Sequence, residues 1–254
     1  MWMDVQDLAT FYQSPLGRVT GKVLRQQIQA IWPLTREERI LGVGYTLPFL
    51  HPFQQQAETV VAAMPHTLGC TPWPHGSPNA VTLVDEFGLP FPDRAFDKVL
   101  VMHALEFSEH IDLLLRECWR VLTYGGHLLV CVPNRRSIWS QMEETPFGHG
   151  QPFSYRQLKF RLEKSCLTIL QTKHCLFFPP ARFRFMLNMA PYWEQWGRKW
   201  LWGFSGGILI EAHKDAYATH GPTEVERTYR SRLFKPSYTP HPSNSEFVKE
   251  SKVI

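Results

Sequence analysis

Residues 85–107 read DEFGLPFPDRAFDKVLVMHALEF, and residues 113–134 continue LLLRECWRVLTYGGHLLVCVPN. From Phe96 to Ala104 the first stretch is almost continuously apolar. A half-exposed strand would alternate, so a run of this kind predicts a strand buried on both faces, as in the middle of a parallel sheet. From Ser108 the spacing changes. Leu113, Leu114, Cys118, Val121 and Leu122 fall on one side of a helix, and Ser108, Ile111 and Asp112 supply its cap region. Tyr124, Gly125 and Gly126 end it, and residues 127–132 form the next strand, closed by Pro133.

Working outward, the same alternation extends in both directions. Upstream, residues 39–44, 59–64 and 80–84 read as strands, with a short helix over 50–57. Before them, residues 4–32 carry helical spacing in two runs. Leu8, Phe11 and Tyr12 form one face, and Val19, Val23, Leu24, Ile28 and Ile31 form the other. Ser14 can cap the second run with Pro15 at its first position, and Trp32-Pro33 ends it. Downstream come a long polar loop over 134–152, a helix capped by Ser154, a strand over 167–178, a Trp- and Arg-rich helix over 181–200 and a last strand over 206–212. Strands alternating with helices imply crossover connections and a parallel sheet. From Asp215 no apolar period persists, which predicts a disordered or extended tail with Phe234 and Phe247 as docking points. The expected organisation is an N-terminal helical extension (1–35), one α/β domain (36–215) and a flexible tail (216–254).

Composition narrows the function. The 254 residues are 44% hydrophobic and 20% charged, which suits a globular chain with a core. A net charge of +4 is too mild to mark a nucleic-acid binder. No apolar run is long enough to span a bilayer. The N-terminus, with Asp4 and Asp7, lacks a secretory pattern. Five irregularly spaced cysteines predict reduced thiols, a cytoplasmic location and no metal centre.

Asp85, Leu89-Pro90-Phe91, Phe96-Asp97, Glu117, Arg120-Val121-Leu122 and Gly125-Gly126 together resemble the core of a class I S-adenosylmethionine-dependent methyltransferase of the type 11 family. The resemblance runs over roughly 38–135. It implies a Rossmann-like, seven-stranded, mostly parallel sheet with helices on both faces and the last strand antiparallel. It also implies S-adenosylmethionine as cofactor. Carried over by position, Asp85 would accept a hydrogen bond from the adenine amino group, as a carboxylate can, with Glu86 and Phe87 lining that pocket. His103, at the end of the strand over 96–104, would lie beside the methionine and sulfonium end. The first strand runs into Gly42, Gly44, Tyr45 and Thr46, the cofactor loop by position.

Two departures accompany the resemblance. Gly42 stands where the family places an acid, and Thr46 and Pro48 replace its second and third glycines. The strand over 59–64 ends in Ala63-Met64-Pro65, without the carboxylate that takes the ribose hydroxyls. Two missing charge-assisted hydrogen bonds, at about 1.5–3 kcal/mol each, would weaken cofactor binding about 10²–10⁴-fold. Two functions stay open on this reading. One is a methyltransferase with a small or apolar acceptor; the other is a catalytically inactive relative that acts as a binding or regulatory partner, with the tail as contact.

The loop over 134–152 is too long to be a plain connection. It reads as a substrate lid, with Arg135, Trp139 and Tyr155 as acceptor contacts and His149 as general base because its ordinary pKa lies near neutrality. The alternative is a loop packed by Trp139 and its two phenylalanines. In the Trp/Arg stretch, aromatics interleaved with cations suit a membrane interface, an apolar acceptor or a partner protein. The alternative there is a helix covering the sheet edge with its arginine stems over aromatics. No module for base stacking accompanies it.

Overall fold

The computed structural model describes residues 3–33, 37–74, 76–180, 187, 189–200 and 202–215. All lie in the unit Met1–Thr219. A second unit, His220–Ile254, falls outside the described residues, and with it the expected tail and its docking points Phe234 and Phe247.

Seven strands form one sheet in the order β3-β2-β1-β4-β5-β7-β6. They are β1 (Arg39–Gly44), β2 (Thr59–Pro65), β3 (Val81–Val84), β4 (Phe96–Met102), β5 (Leu122–Pro133), β6 (Leu167–Cys175) and β7 (Gly207–Lys214). β1 to β5 pair in parallel, and β7 runs antiparallel to both β5 and β6. Among the described residues the helices are α1 (Val5–Gln13), α2 (Pro15–Ile31), α3 (Leu47–Leu50), α4 (Ile111–Val121), α5 (Tyr155–Lys164) and α6 (Ala190–Trp200).

The apolar run of β4 is explained by its two faces. Leu100 and Met102 pack with Leu8, Leu24 and Ile28 of α1 and α2, while Val99 and Val101 pack with Leu114, Leu115 and Cys118 of α4. β5 divides in the same way, Leu129 and Cys131 against Leu128 and Val130. The N-terminal helices therefore share a core with the sheet. Their caps are as the sequence predicts: Ser14 Oγ accepts from Gly17 N at 3.0 Å, and Asp4 and Asp7 close a capping box on α1.

Polar motif residues hold the loops that frame the sheet. Asp97 accepts from Arg39 N at 3.0 Å and from its guanidinium. Glu117 accepts from Leu89 N at 2.9 Å, and Arg120 donates to the Leu89 and Phe91 carbonyls and to Asp93. One i,i+3 pair on α4 thus fixes the Leu-Pro-Phe loop between β3 and β4.

Several boundaries move for local reasons. The short helix starts at Leu47, not at 50, because Pro48 suits a first turn, and Pro52 then tightens residues His51–Phe53 into a 3-10 turn. α4 starts at Ile111 without a side-chain cap, and Ser108 Oγ accepts from His110 N just before it. The glycine pair does not end a helix. It forms an irregularity inside β5, which already pairs Leu122 with Phe96, and Gly125 sits at φ +72°. β6 stops at Cys175, since Leu176 turns away at φ +61°.

Burial sets a pH limit on this fold. It pushes the Cys118 thiol up to about 12, and raises those of Cys131 and Cys175 as well. In the unfolded chain these thiols ionise near their ordinary value of 9.0. Between the two values the unfolded state binds fewer protons, so stability is complete below about pH 9 and falls above it. Each thiol removes about 1.4 kcal/mol per pH unit in that window. Lys214, held down to about 8 by burial and by the nearby Arg94, opposes with a single group. The denaturation midpoint is expected to drop on going from about pH 8 to about pH 10, and an unchanged or rising midpoint would contradict this assignment.

Candidate functional site

The C-terminal ends of β1, β2, β3 and β4 converge at one edge of the sheet, where open α/β folds bind ligands. At the end of β1, Gly44 has φ +86°, and a Cβ there would lie 2.3 Å from the Met102 carbonyl. Its glycine character is required by contact with β4. At Gly42 a Cβ would meet Thr46 Oγ1 at 2.1 Å and Leu50 Cδ1 at 2.6 Å. Thr46 thus fills the space beside β1, and Gly42 is the complement of that filling. Thr46 Oγ1 is buried without a hydrogen-bond partner among the described residues. Tyr45 is buried, stacked on Tyr12 of α1 with centroids 5.8 Å apart, and its hydroxyl is pushed up to about 12 by burial.

At the end of β3, Asp85 Oδ1 accepts from Phe87 N at 3.0 Å and closes a tight turn. Glu86 is buried, which raises its carboxyl pKa against a hydrogen bond from Ser108. The Phe87 ring meets His110 edge-on.

At the end of β4, His103 is 2% exposed and holds φ +51°, a strained conformation for a non-glycine residue of the kind concentrated at functional sites. Its Nε2 lies 2.7 Å from the Tyr12 hydroxyl. Burial raises the Tyr12 pKa well above its ordinary value, so Tyr12 is a neutral phenol in this contact. On the other side of the ring, Nδ1 lies 3.2 Å from Glu106 Oε1. That contact is poorly aligned, and both Glu106 oxygens and His103 Nδ1 are buried without a hydrogen-bond partner among the described residues.

The β5–α5 loop is not a free lid. It carries two 3-10 turns, Trp139–Gln141 and Pro146–Gly148, and packs inward. Trp139 is 1% exposed, and its Nε1 donates to the Phe178 carbonyl at 2.8 Å. Phe147 sits in a ring cluster with Trp139 and His103, each at 5.4 Å, and Phe11 at 6.5 Å. The rim of this loop faces α1 across a cavity of about 680 Å³, lined by Asp7, Phe11, Met142, Glu143, Pro146 and His149 among others. His149 is on that rim with Nε2 donating to the Glu143 carbonyl at 2.6 Å.

The predicted acceptor contacts do not gather. Trp139 is a core residue. Arg135 is exposed beside the loop, with its backbone paired to Phe153. Tyr155 opens α5 and lines a separate cleft of about 520 Å³ against β6. The residues the sequence did not single out as site residues are Tyr12 and Glu106. Glu106 had a signal, as an acid in the apolar run HALEF three residues past His103. Tyr12 had none, because it reads as one more apolar contact of an amphipathic helix.

Fold and sequence comparisons agree on the class. Residues 44–130 match the model of the methyltransferase domain family, and the seven-stranded sheet has the Rossmann-like fold of class I S-adenosylmethionine-dependent methyltransferases. Among curated proteins it is similar to YrhH of Bacillus subtilis, 31% identical over 85 residues, covering 34% of this chain and 46% of that protein. It is also similar to the ubiquinone/menaquinone biosynthesis C-methyltransferase UbiE of Laribacter hongkongensis, 28% identical over 137 residues, covering 54% and 42%. The chain therefore spans less than half the length of these relatives. A solved S-adenosylmethionine-dependent methyltransferase of Thermotoga maritima superposes with a TM-score of 0.58 at 17% identity, over 83% of this chain and 96% of that one. At that identity the likeness shows the fold alone.

Whether the strand ends fit S-adenosylmethionine is decided by space. Unpartnered polar atoms are present at Thr46, His103 and Glu106. Yet the cleft between Pro65, Glu86, His103 and Ala104 is closed by Met3 and Leu68 to about 10 Å³. Val5 N donates to the Leu68 carbonyl at 2.9 Å, and Tyr12 covers His103. In this arrangement Met3 and α1 lie across the ends of β2 and β4 and cover the residues that would face the cofactor.

Proposed function

We propose that this chain is a cytoplasmic methyltransferase that moves a methyl group from S-adenosylmethionine to a small, largely apolar acceptor held in the cavity between α1 and the β5–α5 loop. The observation that carries the reading is the ring contact of Phe147 with both Phe11, on the cavity wall, and His103, at the end of β4. One aromatic ring joins the acceptor cavity to the strand end. The cofactor-facing set is Gly42, Gly44, Tyr45, Thr46, Asp85, Glu86, Phe87 and His103, exposed when α1 withdraws. Residues 36–215 form the catalytic unit, and 1–35 carry its cover. The five free thiols suit a reducing compartment. A non-catalytic binding role is not the reading that the family match favours.

His103 and Glu106 supply proton handling. An imidazole oriented by a phenol on one nitrogen and facing a carboxylate on the other can take a proton from an acceptor and share the resulting charge with the carboxylate. His149, on the cavity rim, contacts the acceptor instead. Glu106→Gln keeps the shape and removes the charge. Its expected effect is a loss of turnover of about 10²-fold with the pH profile displaced, and no change in thermal midpoint. Unchanged turnover would remove Glu106 from the site.

Calorimetry with S-adenosylmethionine and S-adenosylhomocysteine tests the whole reading. Tyr12→Phe keeps the ring and removes the hydroxyl that ties α1 to His103. That one buried hydrogen bond contributes about 1 kcal/mol to holding the cover in place, which lowers apparent affinity by a factor of about 5–10. The variant is therefore expected to bind S-adenosylhomocysteine that much more tightly. No heat from either ligand at high concentration, with both proteins folded, would sink the proposal.

A further inference from the structure

Helix α6 is oriented opposite to an ordinary surface helix. Its buried positions are Ala190, Glu194 and Gly197, at steps of four and three residues. A Cβ on Gly197 would lie 2.3 Å from Phe177, so the helix backbone rests directly on that ring. Glu194 Oε1 accepts from Phe177 N at 2.6 Å and pins the same face. The small residues and the acid face inward, and the large rings face out. Tyr192, Trp196 and Trp200 repeat every four residues as a stripe at 64%, 73% and 69% exposure, with Trp193 beside them and Phe204 at 68% on the following turn. A helix covering a core would show the reverse.

We propose that this face is a docking surface for an anionic lipid bilayer, on which α6 lies in the interfacial plane. Three observations select a bilayer. The rings are mainly tryptophan and tyrosine, whose apolar body and polar tip suit the boundary between headgroups and acyl chains. Lys199 is exposed with its Nζ 5.8 Å from the Trp200 ring, which puts a cation at the same level. The helix has one acid, Glu194, and it is turned inward, so the outer face meets anionic headgroups without repulsion, on a chain of net charge +4. Eleven residues rise about 16 Å, enough to lie along a surface and too short to cross it. Among the described residues no helix is long and apolar enough to span a membrane. The proposal does not depend on methyl transfer, since its readout is binding alone.

The test is flotation of the full chain with vesicles of equal parts phosphatidylcholine and phosphatidylglycerol, beside vesicles of phosphatidylcholine only. The full chain is expected to float with the mixed vesicles, less with the neutral ones, and less at high salt. Tryptophan emission should shift to the blue on binding. The triple variant Trp193→Ser, Trp196→Ser, Trp200→Ser alters exposed positions only, so its thermal midpoint should hold while vesicle affinity falls about 100-fold. Lys199→Glu should reduce binding to the mixed vesicles and leave the neutral ones unaffected. A folded chain that ignores both vesicles, or a triple variant that binds as well as the parent, would overturn the proposal. So would self-association of the parent, lost in the triple variant, without vesicle binding; the face would then be an interface between copies.

Discussion

Trp139→Ala is expected to cost about 3–5 kcal/mol of stability, the range for emptying a large aromatic site in a packed core. The ring is 1% exposed, edge-on to Phe147 and to Phe178, and a Cβ on Gly206 would lie 2.5 Å from its Cδ1. Neighbours this tightly set cannot collapse into the space it leaves. At about 2–4 °C per kcal/mol for a chain of this size, the thermal midpoint should fall by about 10 °C. Trp139→Phe separates the two contributions. It keeps a ring but leaves the Phe178 carbonyl without its donor, for a loss of about 1–3 kcal/mol. If thermal melts show both variants near the parent while only turnover drops, Trp139 is an acceptor contact after all.

Gly44→Ala should be comparably damaging. The backbone at φ +86° strains any side chain by about 1–3 kcal/mol. The added methyl would also lie 2.3 Å from the Met102 carbonyl and 2.8 Å from the Ala104 Cβ. Both are fixed by the pairing of Gly44 with Met102 across β1 and β4, so relief requires separating two central strands, at about 1–3 kcal/mol more. Chemical denaturation should show a loss of unfolding free energy of about 2–6 kcal/mol. Gly42→Ala provides the contrast. The clash there is with two side chains, Thr46 and Leu50, and the double variant Gly42→Ala, Thr46→Ala should recover part of the loss, since Ala lacks the Oγ1 that would lie 2.1 Å from the added Cβ.

What the sequence revealed, and what it hid, follows from the range of the forces involved. β4 was legible because an apolar run with so little polar relief has few other solutions, and the Ser14-Pro15 and Ser154 caps were legible because capping is settled within four residues. The long-range features were not. Gly42 and Thr46 each read as the loss of a cofactor contact, and no local rule shows that they fill each other's space. Trp139 in a loop of charges and glycines reads as a ligand contact, yet its partner Phe178 is 39 residues away. The outward face of α6 inverts the usual rule, so aromatics at helical spacing suggest a cover for the sheet where the molecule presents a surface. Tyr12 shows the limit most clearly: its distance of 91 residues from His103 conceals a contact of 2.7 Å.

The shared core of α1, α2 and the sheet has an evolutionary consequence. Leu8 packs in the same cluster as Met102 and Leu129, so the element lying across the strand ends is also part of what keeps the protein folded. A substitution that seats α1 more firmly raises thermal tolerance and, by the same factor, lowers affinity for whatever must displace it. If the proposed function holds, selection for heat resistance alone would erode turnover, and lineages in warm habitats would need to relocate that stability elsewhere in the sheet.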